Sequence, residues 1–459
     1  MLLKRLRCRY NNNKARTAMF IKPENWRDLG VDERIQLRLK HVETAEGIAF
    51  DSPEAEKAWR RRLRILHNAI QCTGASRVPA LPVVGSHLVK RAGITGRDTL
   101  YNYDCVMQPV LDFHKEFEPD VGIMTAPMPA RVWDMLDYKV YIWSGHGLPD
   151  SQTFQTVDGE YMSAEDYPAL LRDPSGYWLR HYLPRVFGAL APLRKMPTLP
   201  TFSELPQVAT DVLPFAMPDV QEMLHKLMAA GTEAMKCLSV GRQIAGRVAA
   251  AGYPSLMSPP FAKAPFDILG DTLRGTQGIM TDLYRRPEQV KAACATLAPI
   301  IIDDTVRACD FFGRATVMFP LHKGADAFMS VKQFRDFYWP TLRTVMEGLN
   351  AEGIIPMLFA EGSYNQRLEI IADYPARRTM WFFDQSDMRR VADLLGGNLC
   401  VMGNVPSSLM FAGTIEKLRA YCMELLELFA PTGGFILANG AGIDKTTDEH
   451  VRTLINVVR

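Results

Sequence analysis

Ala315-Thr-Val-Met-Phe-Pro-Leu-His-Lys-Gly324 and Ile354-Ile-Pro-Met-Leu-Phe-Ala-Glu-Gly-Ser363 open the stretch that decides the fold. Thr379-Met-Trp-Phe-Phe-Asp-Gln385, Leu399-Cys-Val-Met-Gly-Asn-Val-Pro406 and Gly433-Gly-Phe-Ile-Leu-Ala-Asn-Gly-Ala-Gly442 continue it. Each is a short apolar run that ends in polar residues or glycine, and an amphipathic segment separates each from the next. Asp387 stands as the N-cap of one such segment, with apolar Met388, Val391, Leu394 and Leu395, closing at Gly396-Gly397. Ile415, Leu418, Cys422, Leu425 and Phe429 form the stripe of another. Thr446 with Glu449 reads as a capping-box start for the last helix. Strands joined by helical crossovers pair in parallel, in a barrel or a doubly wound sheet. In either arrangement the chemistry sits at the C-terminal strand ends.

Composition narrows the class. A chain of 459 residues with 47% hydrophobic content can bury a large core. Its 53 basic and 51 acidic residues leave no bulk charge to draw it to nucleic acid or to a membrane surface. No run reaches the roughly 18 apolar residues of a spanning helix. The eight cysteines are scattered without CxxC spacing, which suits reduced thiols and a cytoplasmic chain. Residues 1–76 read as a basic, asparagine-rich, disordered arm (Met1 to Lys14) followed by a helical extension, and residues 77–459 as the α/β domain.

The N-terminal half is less regular. Arg77-Val-Pro-Ala-Leu-Pro-Val-Val-Gly85 is extended, because its prolines exclude helix. Val121-Gly-Ile-Met124 and Tyr138-Lys-Val-Tyr-Ile142 read as strands, and Gly145-His146-Gly147 as a loop. Phe154 to Ser163 reads as a hairpin turning at Asp158-Gly159. Pro192 to Pro214 reads as an irregular surface excursion, Met217 to Ala250 as helix, and Ser258 to Pro265 as a loop.

With these segments in order, the chain resembles the uroporphyrinogen decarboxylase superfamily. The resemblance rests on Arg77-Val-Pro, Pro119-Asp120, Leu273-Arg274-Gly275 before Asp282-Leu and Pro287-Glu288, and the Phe334-Arg-Asp-Phe-Tyr-Trp-Pro340 segment. Ala360-Glu-Gly362, Gly403-Asn404-Val-Pro406 and Gly433 to Gly440 complete it. It implies a (β/α)8 TIM barrel with an N-terminal helical extension.

The departures from the superfamily's patterns are as telling. True decarboxylases hold an arginine-rich N-terminal loop and an aspartate that binds the pyrrole nitrogens; this chain has Val83-Val-Gly-Ser-His-Leu and Thr125-Ala126-Pro127 in those places. Zinc-dependent methyltransferases of the superfamily carry histidine and cysteine ligands where this chain has Phe359, Glu361 and Ala441. A thiolate-type zinc site needs those soft and borderline ligands. The resemblance therefore implies the corrinoid-dependent methyltransferase branch without that zinc site. A corrinoid (cobalamin) or corrinoid protein is the expected partner, tetrahydrofolate a candidate acceptor, and a homodimer the expected assembly. A decarboxylase or lyase acting on a small carboxylic acid is the alternative, as is a non-catalytic tetrapyrrole- or corrinoid-binding protein.

Strand-end position nominates the site residues. Glu361, His322 and Asp384 are the expected catalytic groups, and no metal is assigned. Glu361 either works in acid–base chemistry, binds a cation or pairs with a basic neighbour. His322, followed by Lys323 and Asp326, is either a functional imidazole or a loop histidine satisfied by backbone. A metal variant would use His322, Glu361 and Asp384. Asn404, Asn439, Gly440 and His146 are the expected cofactor-binding residues, with chain turning as the structural alternative for Asn404. Tyr161 reads as packing.

Overall fold

A computed structural model describes residues 19–197 and 209–459, apart from residues 124, 126, 258 and 259. The expected arm from Met1 to Lys14, Cys8, Met124 and Ala126 lie outside the described residues, as does part of the Pro192 to Pro214 excursion.

A parallel sheet runs in the order β1 (Ala80–Leu81), β9 (Phe435–Asn439), β8 (Cys400–Val405), β7 (Met380–Phe383), β6 (Ile355–Ala360) and β5 (Thr316–Leu321). Two further extended segments close it into a ring. Asp120 N donates to Ala80 O, and Gly122 N donates to Pro254 O. Ala262 N then donates to Met318 O, with Phe261 bridged in parallel to Met318. Residues 120–123 and the segment beyond Tyr253 thus act as the second and third staves of the expected (β/α)8 barrel. The five apolar runs quoted first are β5 to β9, and all five form in sequence order.

Their sequence is nearly continuous in hydrophobic residues because both faces are buried, as parallel strands flanked by helices require. The two faces point into different cores. Val317, Phe319, Leu358, Trp381, Phe383, Val401 and Leu437 pack outward against the helices. Ile355, Met357, Met380, Phe382, Cys400, Met402, Ile436 and Ala438 fill the barrel. Each large side chain buried this way contributes about 1.5–3 kcal/mol. Along β6 the inward series goes from buried Ile355 and Met357 through half-buried Phe359 to exposed Glu361. The barrel is packed below and open at its C-terminal mouth.

The N-terminal extension forms helices at Val31–Glu43 and Pro53–Ile70. The Pro218–Ala250 and Met388–Leu395 helices follow the sequence reading, and Asp387 Oδ1 caps the latter by accepting from Arg389 N and Arg390 N. Three local readings change. The terminal helix Asp448–Asn456 is capped by Thr447, whose hydroxyl accepts from His450 N, while Thr446 donates its hydroxyl to Met410 O. The expected hairpin at Asp158-Gly159 does not form. β4 (Phe154–Thr156) instead pairs antiparallel with β2 (Tyr141–Ser144), which also pairs with β3 (Gly147–Leu148). The Tyr138 to Ile142 segment accordingly feeds this separate sheet, held by Trp133, Tyr138, Tyr141 and Phe154, and not the barrel. The described cysteines are all free, and among the described residues no helix is long and apolar enough to cross a membrane.

Two of the motifs behind the resemblance prove to be internal ties. Arg77 donates to both carboxylate oxygens of Asp120 at 2.7 and 2.5 Å, and Asp120 also accepts from Ala80 N. This joins the first stave to the second. Arg274 donates to Asp282 and to Met162 O, and Tyr167 donates to the same Asp282 carboxylate. Removing one partner of a buried pair strands the other's charge, at about 3–5 kcal/mol. Asp120 is 2% exposed, so Asp120→Ala is expected to lower unfolding free energy by that amount in urea denaturation. A loss under about 1 kcal/mol would show that the pair behaves as a surface ion pair.

Candidate active site at the barrel mouth

The mouth is organised by a carboxylate that sequence reading passed over. After the third stave the chain enters a helical turn at Pro265–Asp267 that continues as a π-helical turn at Ile268–Leu273. Such widened turns recur at functional sites. Asp267 and Asp271 sit one turn apart on this segment and both reach the end of β5. Asp267 is fully buried. It accepts from His322 N at 3.2 Å, Lys323 N at 2.8 Å and Tyr338 Oη at 2.7 Å. Burial, reinforced by the nearby Asp271 charge, pushes its pKa up to about 6.

Asp271 meets cations. Its Oδ2 lies 2.6 Å from His322 Nδ1 and 2.8 Å from Lys263 Nζ, and its Oδ1 lies 3.0 Å from Lys323 Nζ. Burial alone would raise its pKa, but His322 and Lys263 hold it well below the usual carboxylate range. The same hydrogen bond to Asp271 raises the His322 pKa against the opposing effect of burial. The other ring nitrogen, Nε2, lies 3.5 Å from Glu361 Oε2. His322 is thus an imidazole held from behind by the Asp271 carboxylate, which favours its protonated form, with a second carboxylate at its front edge. Tyr364 lies beneath, fully buried, donating to Leu321 O at 3.1 Å. Gly324 is needed there, because a Cβ would come within 2.7 Å of the Tyr364 hydroxyl.

The structure thus brings His322 and Glu361 together. Asp384 stands at the end of the next strand, β7, where Oδ2 accepts from Gly362 N at 3.1 Å and from Gln385 Nε2 at 3.2 Å. Burial raises its pKa. Gly440 is placed against it: a Cβ at Gly440 would come within 2.8 Å of Asp384 O and Oδ1. The close approach served by this glycine is to Asp384.

Both asparagines spend their amides inside the fold. Asn404 Nδ2 donates to Asp384 O at 3.2 Å and Ser386 O at 2.9 Å, and its Oδ1 accepts from Tyr421 Oη at 2.8 Å. Asn439 accepts from Val83 N at 2.8 Å and donates to Val83 O at 3.0 Å and to Ala441 O. His146 lies elsewhere, stacked on Trp143 in the small sheet with Nε2 3.0 Å from Asp134. Tyr161 donates to Val157 O at 3.1 Å, in keeping with a packing role.

Sequence reading missed Asp267, Asp271, Lys263 and Tyr338. The available signal was the Asp267-Ile-Leu-Gly-Asp271 spacing, which puts two carboxylates on one helix face. Among the described residues no group of three or more histidine, cysteine, aspartate or glutamate side chains is arranged to hold a metal ion. The Phe359, Glu361 and Ala441 positions likewise offer no thiolate.

A mouth-facing polar cluster on a parallel barrel makes this a barrel protein with a candidate site at the C-terminal strand ends. Residues 208–459, more than half of the chain, match the family of uroporphyrinogen decarboxylase (URO-D), and the chain belongs to that family. Among solved structures, a methyltransferase from Methanosarcina mazei shares the fold with a TM-score of 0.52 and 14% identity, over 86% of this chain and 97% of that one. No curated protein sequence matches the chain.

The His322 pKa should be measurably above the ordinary value of about 6.5. Such a raised value stabilises the fold fully below about pH 6.5, and that contribution is lost as pH rises through the folded-state pKa. NMR titration of the ring protons is expected to show this. In Asp271→Asn the pKa should fall, because the carboxylate that opposes burial is then gone. A His322 pKa unchanged by Asp271→Asn would contradict the assigned pairing.

Proposed function

We propose that this protein is a methyltransferase of the family, moving a methyl group between a corrinoid and a small acceptor such as tetrahydrofolate. The observation that carries the reading is the Asp271–His322–Glu361 arrangement at the mouth of a barrel that lacks thiolate ligands at positions 359, 361 and 441. The methyltransferase from Methanosarcina mazei with the same fold supports it.

Transfer of a methyl group to or from a heteroatom requires a proton to be managed at that heteroatom. When the methyl group leaves, the carbon–heteroatom bond breaks, its electron pair stays on the heteroatom, and that atom must be protonated. His322, whose proton affinity Asp271 raises, donates from Nε2 in its protonated form. In the reverse direction the acceptor's proton passes to neutral His322 or to exposed Glu361. Asp267 holds the imidazole in place through the His322 and Lys323 backbone, and Asp384 with Gln385 lines the adjoining strand end. Exposed polar groups at this mouth include Glu361 and Gln385, and Phe261 on the third stave and Phe411 after β8 present exposed rings. That combination of polar groups and exposed rings suits a large amphipathic ligand with peripheral amides. A corrinoid, when bound, supplies a cobalt centre able to exchange a methyl group. The thiolate zinc site does not fit these residues, and no step is assigned to zinc. In this reading the protein works in the cytoplasm as a homodimer, with a corrinoid protein or free corrinoid as partner.

Purified protein mixed with methylcobalamin and tetrahydrofolate is expected to show demethylation in the visible spectrum. His322→Gln should slow it by about 10²–10⁴-fold, the usual contribution of general acid–base catalysis. No demethylation with folate or thiol acceptors would overturn the reading. Carbon dioxide release from a small acid without cobalamin would replace it with a decarboxylase. A cobalamin spectral shift without turnover would indicate a carrier.

A further inference from the structure

At the other end of the barrel, a cavity of about 560 Å³ lies between the Pro53–Ile70 helix and the N-terminal ends of the first three staves. Arginine dominates its lining, with Arg61, Arg62, Arg77 and Arg459 facing Glu54, Glu118 and Asp120. Two of these carboxylates are committed. Asp120 takes both hydrogen bonds of Arg77, and Glu118 Oε2 lies 3.6 Å from Arg459 Nη1. What is left is Glu54 against two arginines.

Arg62 is the unusual member. It is 6% exposed, with its guanidinium carbon 4.2 Å from the centre of the Tyr253 ring. Its Nη1 donates to Gly252 O at 3.0 Å, while its buried Nε donates to nothing. A buried donor without an acceptor costs about 1–3 kcal/mol, and burial also lowers the pKa of this guanidinium. With Nη1 committed to Gly252 O, the donor left without an acceptor lies on the Nε–Nη2 edge of the fork. That edge matches two oxygens of a carboxylate or phosphate. Arg61, exposed one residue earlier on the same helix, adds a second cation at the rim.

We propose that this cavity is a binding site for a small oxyanion, the carboxylate or phosphate group of a metabolite, held by Arg62 with Arg61. The occupant would tie the N-terminal helices to the barrel floor, remote from His322. Calorimetric titration of the full chain with inorganic phosphate and, separately, with malonate tests it, against chloride at matched ionic strength. One anion is expected to bind with unit stoichiometry, and which of the two binds identifies the group recognised. Arg61→Ala should weaken that binding by about tenfold or more, the scale of one charge-assisted hydrogen bond. Arg62→Lys, which keeps the charge but loses the fork, should weaken it as well. If Arg62→Lys does not fold, Arg61→Ala decides. Lys263→Ala, at the mouth, should leave binding unchanged. No saturable binding at millimolar anion, binding indifferent to Arg61→Ala, or binding lost in Lys263→Ala would each overturn the proposal.

Discussion

One buried carboxylate, Asp267, fixes the geometry of the mouth. An ionised carboxylate inside a core persists only if its lone pairs are filled, and here three donors fill them. Two are backbone amides of His322 and Lys323 at the end of β5, and the third is the Tyr338 hydroxyl from the helical layer outside. The segment after the third stave, the end of the fifth strand's loop and the neighbouring helix are thereby held at one point. Satisfying that charge places the His322 ring where Asp271 can reach Nδ1 and Glu361 can face Nε2.

The charges around that point are arranged in alternation. Asp271 lies between Lys263, Lys323 and His322, and Glu361 lies on the far side of the imidazole. Within a half-buried setting such pairs interact more strongly than they would in water, and this is what shifts Asp271 down and His322 up. Among the described residues Asp384 has no cationic partner, so burial governs it and its pKa moves the other way. Two aspartates at one barrel mouth, Asp271 on a helical turn and Asp384 at a strand end, thus acquire opposite proton affinities from their surroundings.

Around the rest of the mouth, asparagine does the joining. Asn404 links the end of β8 to the loop after β7 and to Tyr421, and Asn439 links the end of β9 to Val83 beyond β1. A primary amide both donates and accepts, so one buried side chain satisfies two loops whose backbones cannot pair. The same economy appears at the floor, where Asp120 serves Arg77 and Ala80 N together.

Much of the barrel was legible in the chain because buried parallel strands must be apolar on both faces, which makes β5 to β9 conspicuous as runs. The early staves were harder: residues 120–123 and the segment around Tyr253 are short, and only their hydrogen bonds to neighbours show them to be staves. His322 and Glu361 were visible as polar residues closing apolar runs. Asp267 and Asp271 were not, because they lie in a helical turn whose direction depends on where β5 ends. Asn404 and Asn439 looked the same in sequence whether aimed at a ligand or at backbone. The sequence by itself determined the strand–helix alternation, the family and the missing thiolates, since these depend on residue type and order. Only the tertiary structure decided which carboxylate meets His322, where each amide is spent, and that Arg62 Nε is left without an acceptor. Those are contacts between segments far apart in the chain, and local pattern does not encode them.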